Sequence, residues 1–252
     1  MSPNIWTACG GRSNCAPWEG APWRVVEAQH VISTRKLVDS DEEQGLLEQL
    51  LESVKPPEAP ETDGLHYLLA TPFRYPPLRH GSRFATRFEP SLWYGSLELR
   101  TAFAEVAYYR LLFLEGTTAA LEPLVVELSA FQAKVRSAAC VDLGGDAFRP
   151  WHAVLRSPTS YKATQALGAR MREDSVEMFL FLSARDPEAG RNVGIFTPRV
   201  FARRRPTVPQ TWRCVVDRGR VELVRRDYFT RARFVFPRER FLVDGALPMP
   251  GA

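Results

Sequence analysis

Leu92-Trp93-Tyr94-Gly95-Ser96-Leu97-Glu98-Leu99-Arg100-Thr101-Ala102-Phe103-Ala104-Glu105-Val106-Ala107-Tyr108-Tyr109 decides how this chain is read. Leu92-Trp93-Tyr94 reads as a short strand ended at Gly95-Ser96, since large apolar and aromatic side chains suit a pleated surface. A helix follows at once, from about Glu98 to Glu115, with Leu99, Ala102, Phe103 and Val106 as one buried stripe and Gly116 as its stop signal. Glu105 interrupts this apolar run on an adjoining strip that it shares with Ala102, Tyr109 and Leu112. An unpaired carboxylate in such surroundings is costly, so it calls for a partner or a task. Counting back from it, Arg83, Tyr94 and Glu105 stand at equal intervals of eleven residues.

Upstream, Leu65 to Tyr75 reads as a strand leading into the Pro76-Pro77 turn. Ser40-Asp41-Glu42-Glu43 is a capping-box signature for an amphipathic helix carrying Leu46, Leu47, Leu50, Leu51 and Val54, which Pro56-Pro57 stops. The Pro/Glu-rich piece from Lys55 to Gly64 then reads as a connector. Residues 1–64 are therefore expected to form an N-terminal helical extension packed on a main domain of residues 65–252. Downstream, strands are predicted at Leu124–Leu128, Ala139–Leu143, Met178–Leu182, Val193–Phe196, Trp212–Val216, Val221–Val224 and Phe234–Phe236, with a helix over Tyr161–Met171. Strands outnumber helices without regular βαβ alternation, which points to the α+β class.

The 252 residues are 45% hydrophobic and 25% charged, with 33 basic against 29 acidic residues spread along the chain. That balance does not demand a nucleic-acid partner. Arg203-Arg204-Arg205 and Arg225-Arg226 read as solvated faces, or as surfaces able to meet an acidic partner. Met1 to Gly20 lacks the apolar core of a signal peptide, and no apolar run is long enough to span a bilayer, so a soluble cytoplasmic protein is expected. Cys9, Cys15, Cys140 and Cys214 are too scattered for a disulfide framework, and neither they nor His30, His66, His80 and His152 show metal-ligand spacing. No metal is predicted.

The chain has no Gly-x-Gly-x-x-Gly after a strand, no phosphate-binding Gly-x-x-x-x-Gly-Lys loop, no His-Glu-x-x-His and no Gly-x-Ser-x-Gly. What remains is a set of polar residues at the ends of apolar elements: Arg74, Tyr75, Arg83, Tyr94, Glu105, Ser183 and Asn192. Each also has a plain structural reading. The arginines can be surface residues, Glu105 can pair with Arg100 or Arg110 along its helix, Tyr94 can be core, and Ser183 and Asn192 can cap turns.

From Leu68 to Phe201 the order Phe73-Arg74-Tyr75, Gly81-Ser82-Arg83-Phe84, Leu92-Trp93-Tyr94, Ala104-Glu105 and Phe181-Leu182-Ser183-Ala184-Arg185 through Asn192-Val193 resembles the RES domain. The resemblance implies an ADP-ribosyltransferase-like mixed sheet core that binds NAD as its substrate. It implies cleavage of the nicotinamide–ribose bond by a toxin of a toxin–antitoxin system, with inorganic phosphate as co-substrate in an NAD phosphorylase or water in a glycohydrolase. A branch of the family instead transfers ADP-ribose to a protein. The implied partner is a helix-turn-helix antitoxin of the Xre type covering the site entrance, with a homodimer also within the family's range. Carried onto this sequence, Arg74, Glu105 and Ser183 are the implied catalytic residues, and Arg74, Tyr75, Arg83, Tyr94, Ser183 and Asn192 the implied NAD-binding ones. The chemistry agrees. Arginines suit a pyrophosphate, a carboxylate stabilises an oxocarbenium-like ribose, tyrosines offer faces to a cationic ring, and a serine can donate to phosphate or carboxamide. The family's Gly-Gly-Arg-Trp-Asn element is here Gly81-Ser82-Arg83-Phe84-Ala85, which keeps the arginine and loses polar groups around it.

Overall fold

Alternation along Met178–Leu182 organises the molecule, because successive strand side chains point to opposite faces of a sheet. Phe179 and Phe181 enter one core layer, with Phe84, Phe148 and Leu167, while Met178 and Leu180 enter the other, with Trp93, Val193, Ile195 and Leu69. The computed structural model describes residues 4–28, 38–119 and 123–249. Its strands are Cys15–Gly20 (β1), Trp23–Glu27 (β2), Trp93–Ser96 (β3), Leu124–Gln132 (β4), Val135–Asp142 (β5), Met178–Leu182 (β6), Arg191–Ile195 (β7), Thr207–Val216 (β8), Arg220–Arg225 (β9) and Arg233–Pro237 (β10). The helices are Ile5–Ala8 (α1), Asp41–Ser53 (α2), Tyr67–Arg74 (α3), Leu99–Glu115 (α4), His152–Leu155 (α5) and Lys162–Glu173 (α6).

Among the described residues the strands form one sheet in the order β1-β5-β6-β7-β3-β2-β4-β8-β9-β10. Only β5 and β6 run parallel; every other neighbouring pair is antiparallel. A parallel pair needs a long crossover, and the segment carrying α5 and α6 supplies it. The fold is α+β, a large mixed sheet with few helices, as the strand-rich pattern predicts.

The segment Leu65–Tyr75 corrects one expectation, for it is the helix α3 and not a strand. The ring of His66 accepts the Leu68 amide at 3.3 Å, which caps the first turn. Leu69 and Phe73, four apart, then share one side and pack on the layer of Trp93 and Val193. Residues 15–27, assigned by sequence to an extension, lie within the sheet. β1 pairs with β5 at the edge, with Pro17 at the register shift, and β2 lies between β3 and β4. Trp6 of α1 donates from Nε1 to Asp174 at the end of α6, at 2.5 Å. α2 forms where the capping box predicts it, with Ser40 accepting the Glu43 amide, yet Leu46, Leu50 and Val54 stand more than half exposed.

α4 packs Phe103, Ala107, Tyr108, Leu111 and Leu114 against Leu128 of β4, Trp212 and Val216 of β8 and Leu223 of β9. It lies on the same side of the sheet as Phe179 and Phe181: Trp23, packed against the α4 layer, pairs with Ser96, two residues on from Tyr94, which joins the phenylalanine layer. α6 carries the loop that holds Arg83. Gln165 donates from Nε2 to the carbonyls of His80, Ser82 and Ala85, and Gly168 lies so close that a β-carbon there would stand 2.1 Å from the Phe84 carbonyl oxygen. Because that obstacle is backbone, Gly168→Ala is expected to push α6 off the loop and cost about 1–3 kcal/mol. The measurement is the urea midpoint at constant m-value; an unchanged midpoint contradicts this packing.

Candidate active site

The carboxylate of Glu105 is held through one oxygen. Ser183 Oγ donates to Oε1 at 2.7 Å and Asn192 Nδ2 donates to the same atom at 2.6 Å. Both donors are themselves fixed. Ser183 is fully buried at the end of β6, and its Oγ accepts the Arg185 and Asp186 amides at 3.0 and 2.9 Å, so its one proton is committed to Glu105. Asn192 faces Ser96 across the β3–β7 pair, and the Ser96 hydroxyl donates to its Oδ1 at 2.6 Å, which turns the amide nitrogen toward Glu105. Among the described residues nothing donates to Glu105 Oε2. Glu105 also lines a cleft of about 290 Å³ with Val106, Tyr109 and Val25.

Neither arginine offered as a helix partner pairs with Glu105. Arg100 binds Asp186 at 2.6 Å and Glu188 at 2.8 Å, and Arg110 binds Glu27 at 2.7 Å. The first of these pairs shapes the site. Asp186 is buried and takes Arg100 on one oxygen and the Thr101 hydroxyl on the other at 2.8 Å. The first turn of α4 thus clamps the loop after β6, and one turn later Glu105 meets Ser183 from that same loop.

Two buried arginines stand around this carboxylate without an acid of their own among the described residues. Arg83 donates to the carbonyls of Leu155 and Ser157 at 3.3 and 2.9 Å, and its guanidinium lies 4.7 Å from the centroid of the Tyr161 ring. Arg185 donates to the Pro158 carbonyl at 2.9 Å and lies 3.6 Å over Tyr108. Burial pushes the Tyr108 hydroxyl up to about 12, against the pull of Arg185 and Arg83. The hydroxyls of Tyr109 and Tyr161 meet at 3.4 Å, linking the helix of Glu105 to the ring under Arg83.

The structure thus gathers Glu105, Ser183 and Asn192 and places Arg83 beside Tyr161. Tyr94 stands behind them. Its hydroxyl accepts the Phe84 amide at 3.1 Å and bonds Ser82 at 3.0 Å, while its ring packs edge-on to Phe181, so it holds the Arg83 loop and burial pushes its pKa up to about 12. Arg74 and Tyr75 are elsewhere. They end α3, which packs through Leu69 on the opposite layer, and the Arg74 guanidinium binds the Pro56 carbonyl and Glu52, each at 2.6 Å. Sequence reasoning missed Arg185, Tyr109, Tyr161 and Ser96 as members of the site. Tyr109, four residues past Glu105, and Arg185, two past Ser183, carry a positional signal; Tyr161 and Ser96 become visible only through the fold. Among the described residues no group of three or more His, Cys, Asp or Glu side chains is placed to hold a metal ion, His30 lies outside those residues, and no described helix is long and apolar enough to cross a membrane.

Asn192→Asp replaces the 2.6 Å donor with a second carboxylate facing Glu105. Two carboxylates at that distance cannot both ionise, so the pair retains a proton in the folded state above the pH at which the unfolded chain loses it. Folded protein then binds more protons than unfolded, and stability falls as pH rises, by roughly 1.4 kcal/mol for each unit of raised pKa. Denaturant midpoints of variant and parent are expected to converge near about pH 4 and separate by pH 8. A separation independent of pH is the contrary result.

Comparison with a family model agrees with the residue pattern. The model of the RES domain matches residues 57–217. No curated protein sequence matches the chain. Among solved structures, the chain is similar to one chain of the crystal structure of the M. tuberculosis MbcT–MbcA toxin–antitoxin complex, at 14% identity and a TM-score of 0.48, covering 83% of this chain and 91% of that one. The family match spans well over half of the sequence and takes in Arg83, Tyr94, Glu105, Ser183 and Asn192, and the protein belongs to the RES domain family.

Proposed function

We propose that this protein is a toxin-type enzyme that cleaves the nicotinamide–ribose bond of NAD, with phosphate or water as acceptor. The observation that carries the reading is the Glu105 carboxylate, fixed through Oε1 by Ser183 and Asn192 and left without a donor on Oε2 among the described residues. When the C1′–N bond breaks, its electron pair passes to the nicotinamide ring and neutralises it, and positive charge develops on the ribose. A carboxylate already held in place stabilises that charge without having to reorganise. The acceptor oxygen then bonds to C1′; water loses a proton to solvent in doing so, whereas inorganic phosphate attacks through an oxygen that is already unprotonated. Arg83 and Arg185, buried and without acidic partners, supply the cationic wall that a pyrophosphate needs. Their role here belongs with Glu105, Ser183 and Asn192, while Tyr94 sets the Arg83 loop. Loss of NAD would arrest growth, and the fitting regulator is a helix-turn-helix antitoxin of the Xre type that covers the cleft.

Glu105→Gln keeps the size and the acceptor carbonyl but removes the charge. It is expected to lower nicotinamide release from NAD by at least about 100-fold with the unfolding midpoint retained. Mass spectrometry of the parent's product, with and without inorganic phosphate, separates phosphorylated ADP-ribose from free ADP-ribose. No nicotinamide in either condition overturns the reading, and label passing from NAD to a cellular protein would replace it with ADP-ribosyl transfer. Arg185→Lys, which cannot reproduce a planar fork over Tyr108, is expected to raise KM for NAD about tenfold.

A further inference from the structure

The 13-residue helix α2 carries Leu46, Leu50 and Val54 four residues apart along one side, and they stand 58%, 56% and 78% exposed. Gln44, two residues before Leu46 and so on the far side, is the residue that α2 buries. A helix of this length is marginal alone in water, and folded proteins normally stabilise one by packing its apolar stripe. Here the stripe is left open. We propose that a second copy of this chain covers it, in a two-fold dimer where each α2 meets Arg203, Arg204 and Arg205 of the other copy.

The occupant follows from charge. From Asp41 to Lys55 the chain has Asp41, Glu42, Glu43, Glu48 and Glu52 against Lys55 alone. Glu42 is exposed one turn before Leu46, in line with the stripe, and no cation pairs with it among the described residues. Arg203, Arg204 and Arg205 are the opposite case: all three are exposed, and none has a carboxylate partner among the described residues. An acidic apolar stripe and a free basic cluster on one chain are complementary surfaces that this chain does not bring together itself.

Helix α3 sets the two against each other. At its last residue Arg74 binds Glu52 of α2 at 2.6 Å. At its other end the His66 amide donates to the Arg204 carbonyl at 2.8 Å, and the Arg204 guanidinium lies over Gly64, where a β-carbon would stand 2.4 Å from it. The eight residues of α3 put these ends about 12 Å apart. Between them Tyr67, Thr71 and Tyr75 are exposed at four-residue spacing. Acid at one end, base at the other and aromatic surface between make a patch that matches its own copy turned through a two-fold axis, residue i meeting j and j meeting i. A second copy supplies both complements at once.

Sedimentation of the purified chain over a range of concentrations tests this, with two charge-reversed variants. One carries Arg203→Glu and Arg204→Glu; the other carries Glu42→Lys and Gln49→Lys, Gln49 being exposed beside Leu50. The expected result is a parent dimer, with each variant alone weakened at least about tenfold and a mixture of the two pairing within about threefold of the parent. The mixture recovers because opposite charges again face each other at both contacts. A parent that stays monomeric, a dimer indifferent to both reversals, or a mixture no tighter than either variant overturns the proposal. Hydrogen exchange on the parent reads the same contact without a substitution. Amides of residues 46–54 are expected to gain at least about tenfold protection as concentration rises through the dimerisation range, and unchanged protection there overturns it. None of these readouts uses NAD, so the dimer and the cleavage reading stand or fall separately.

Discussion

An ionised carboxylate on a helix packed into a protein core has to be solvated by something, and at Glu105 the protein supplies two donors to a single oxygen. Much of the architecture serves that arrangement. The donors come from different places, the end of β6 and the start of β7, and each is oriented by a neighbour that leaves no second choice. Ser183 accepts two amides and so must give its proton to Glu105, while Asn192 is turned by Ser96 across a strand pair. A one-residue slip of β3 against β7 would point Ser96 to the other layer and free the amide to rotate. Sheet register and carboxylate orientation are therefore one constraint.

The helix end is tied to the same loop. Arg100 and Thr101 bind buried Asp186, three residues beyond Ser183, so α4 and the loop after β6 cannot move independently. An ion pair of this kind contributes little net stability once desolvation is counted, but breaking it strands a charge inside the protein. Its effect is on geometry. Arg100 is spent on Asp186, and Arg110 is spent on Glu27, so the helix carries a carboxylate that its own arginines do not neutralise.

How much of this was legible follows from how local each signal is. α4 is readable because its apolar stripe repeats at helical spacing, and Glu105 stands out because it interrupts that apolar run. Ser183 and Asn192 end apolar runs, and a polar residue in that position has few ways to be satisfied. The helix α3 reads as a strand by sequence because the run Leu65–Tyr75 leads straight into the Pro76-Pro77 turn, and the four-residue spacing of Leu69 and Phe73 that marks its buried side is a single repeat. β2 escaped because its place between β3 and β4 depends on pairings some seventy and more than a hundred residues away in sequence. Arg74 looked available only because Glu52, which holds it, lies on a separate helix whose approach no local pattern reveals. Tyr94 was read for its face, whereas its hydroxyl does the holding.

The buried arginines extend the argument. Withdrawing a guanidinium from water is costly, and the usual compensation is a carboxylate; at Arg83 and Arg185 it is a ring face and backbone carbonyls instead. Carbonyls and rings reduce the cost of burial but leave each guanidinium its full positive charge, and the Glu105 carboxylate for its part accepts on one oxygen alone among the described residues. An acid beside each arginine would make a more stable interior and cancel that charge. The protein keeps two buried cations and a carboxylate unpaired with one another, an arrangement that costs stability and gains nothing within the folded chain. On the proposed reading it acquires a physical purpose, since the molecule entering the site would carry anionic phosphates and develop a cation where its bond breaks.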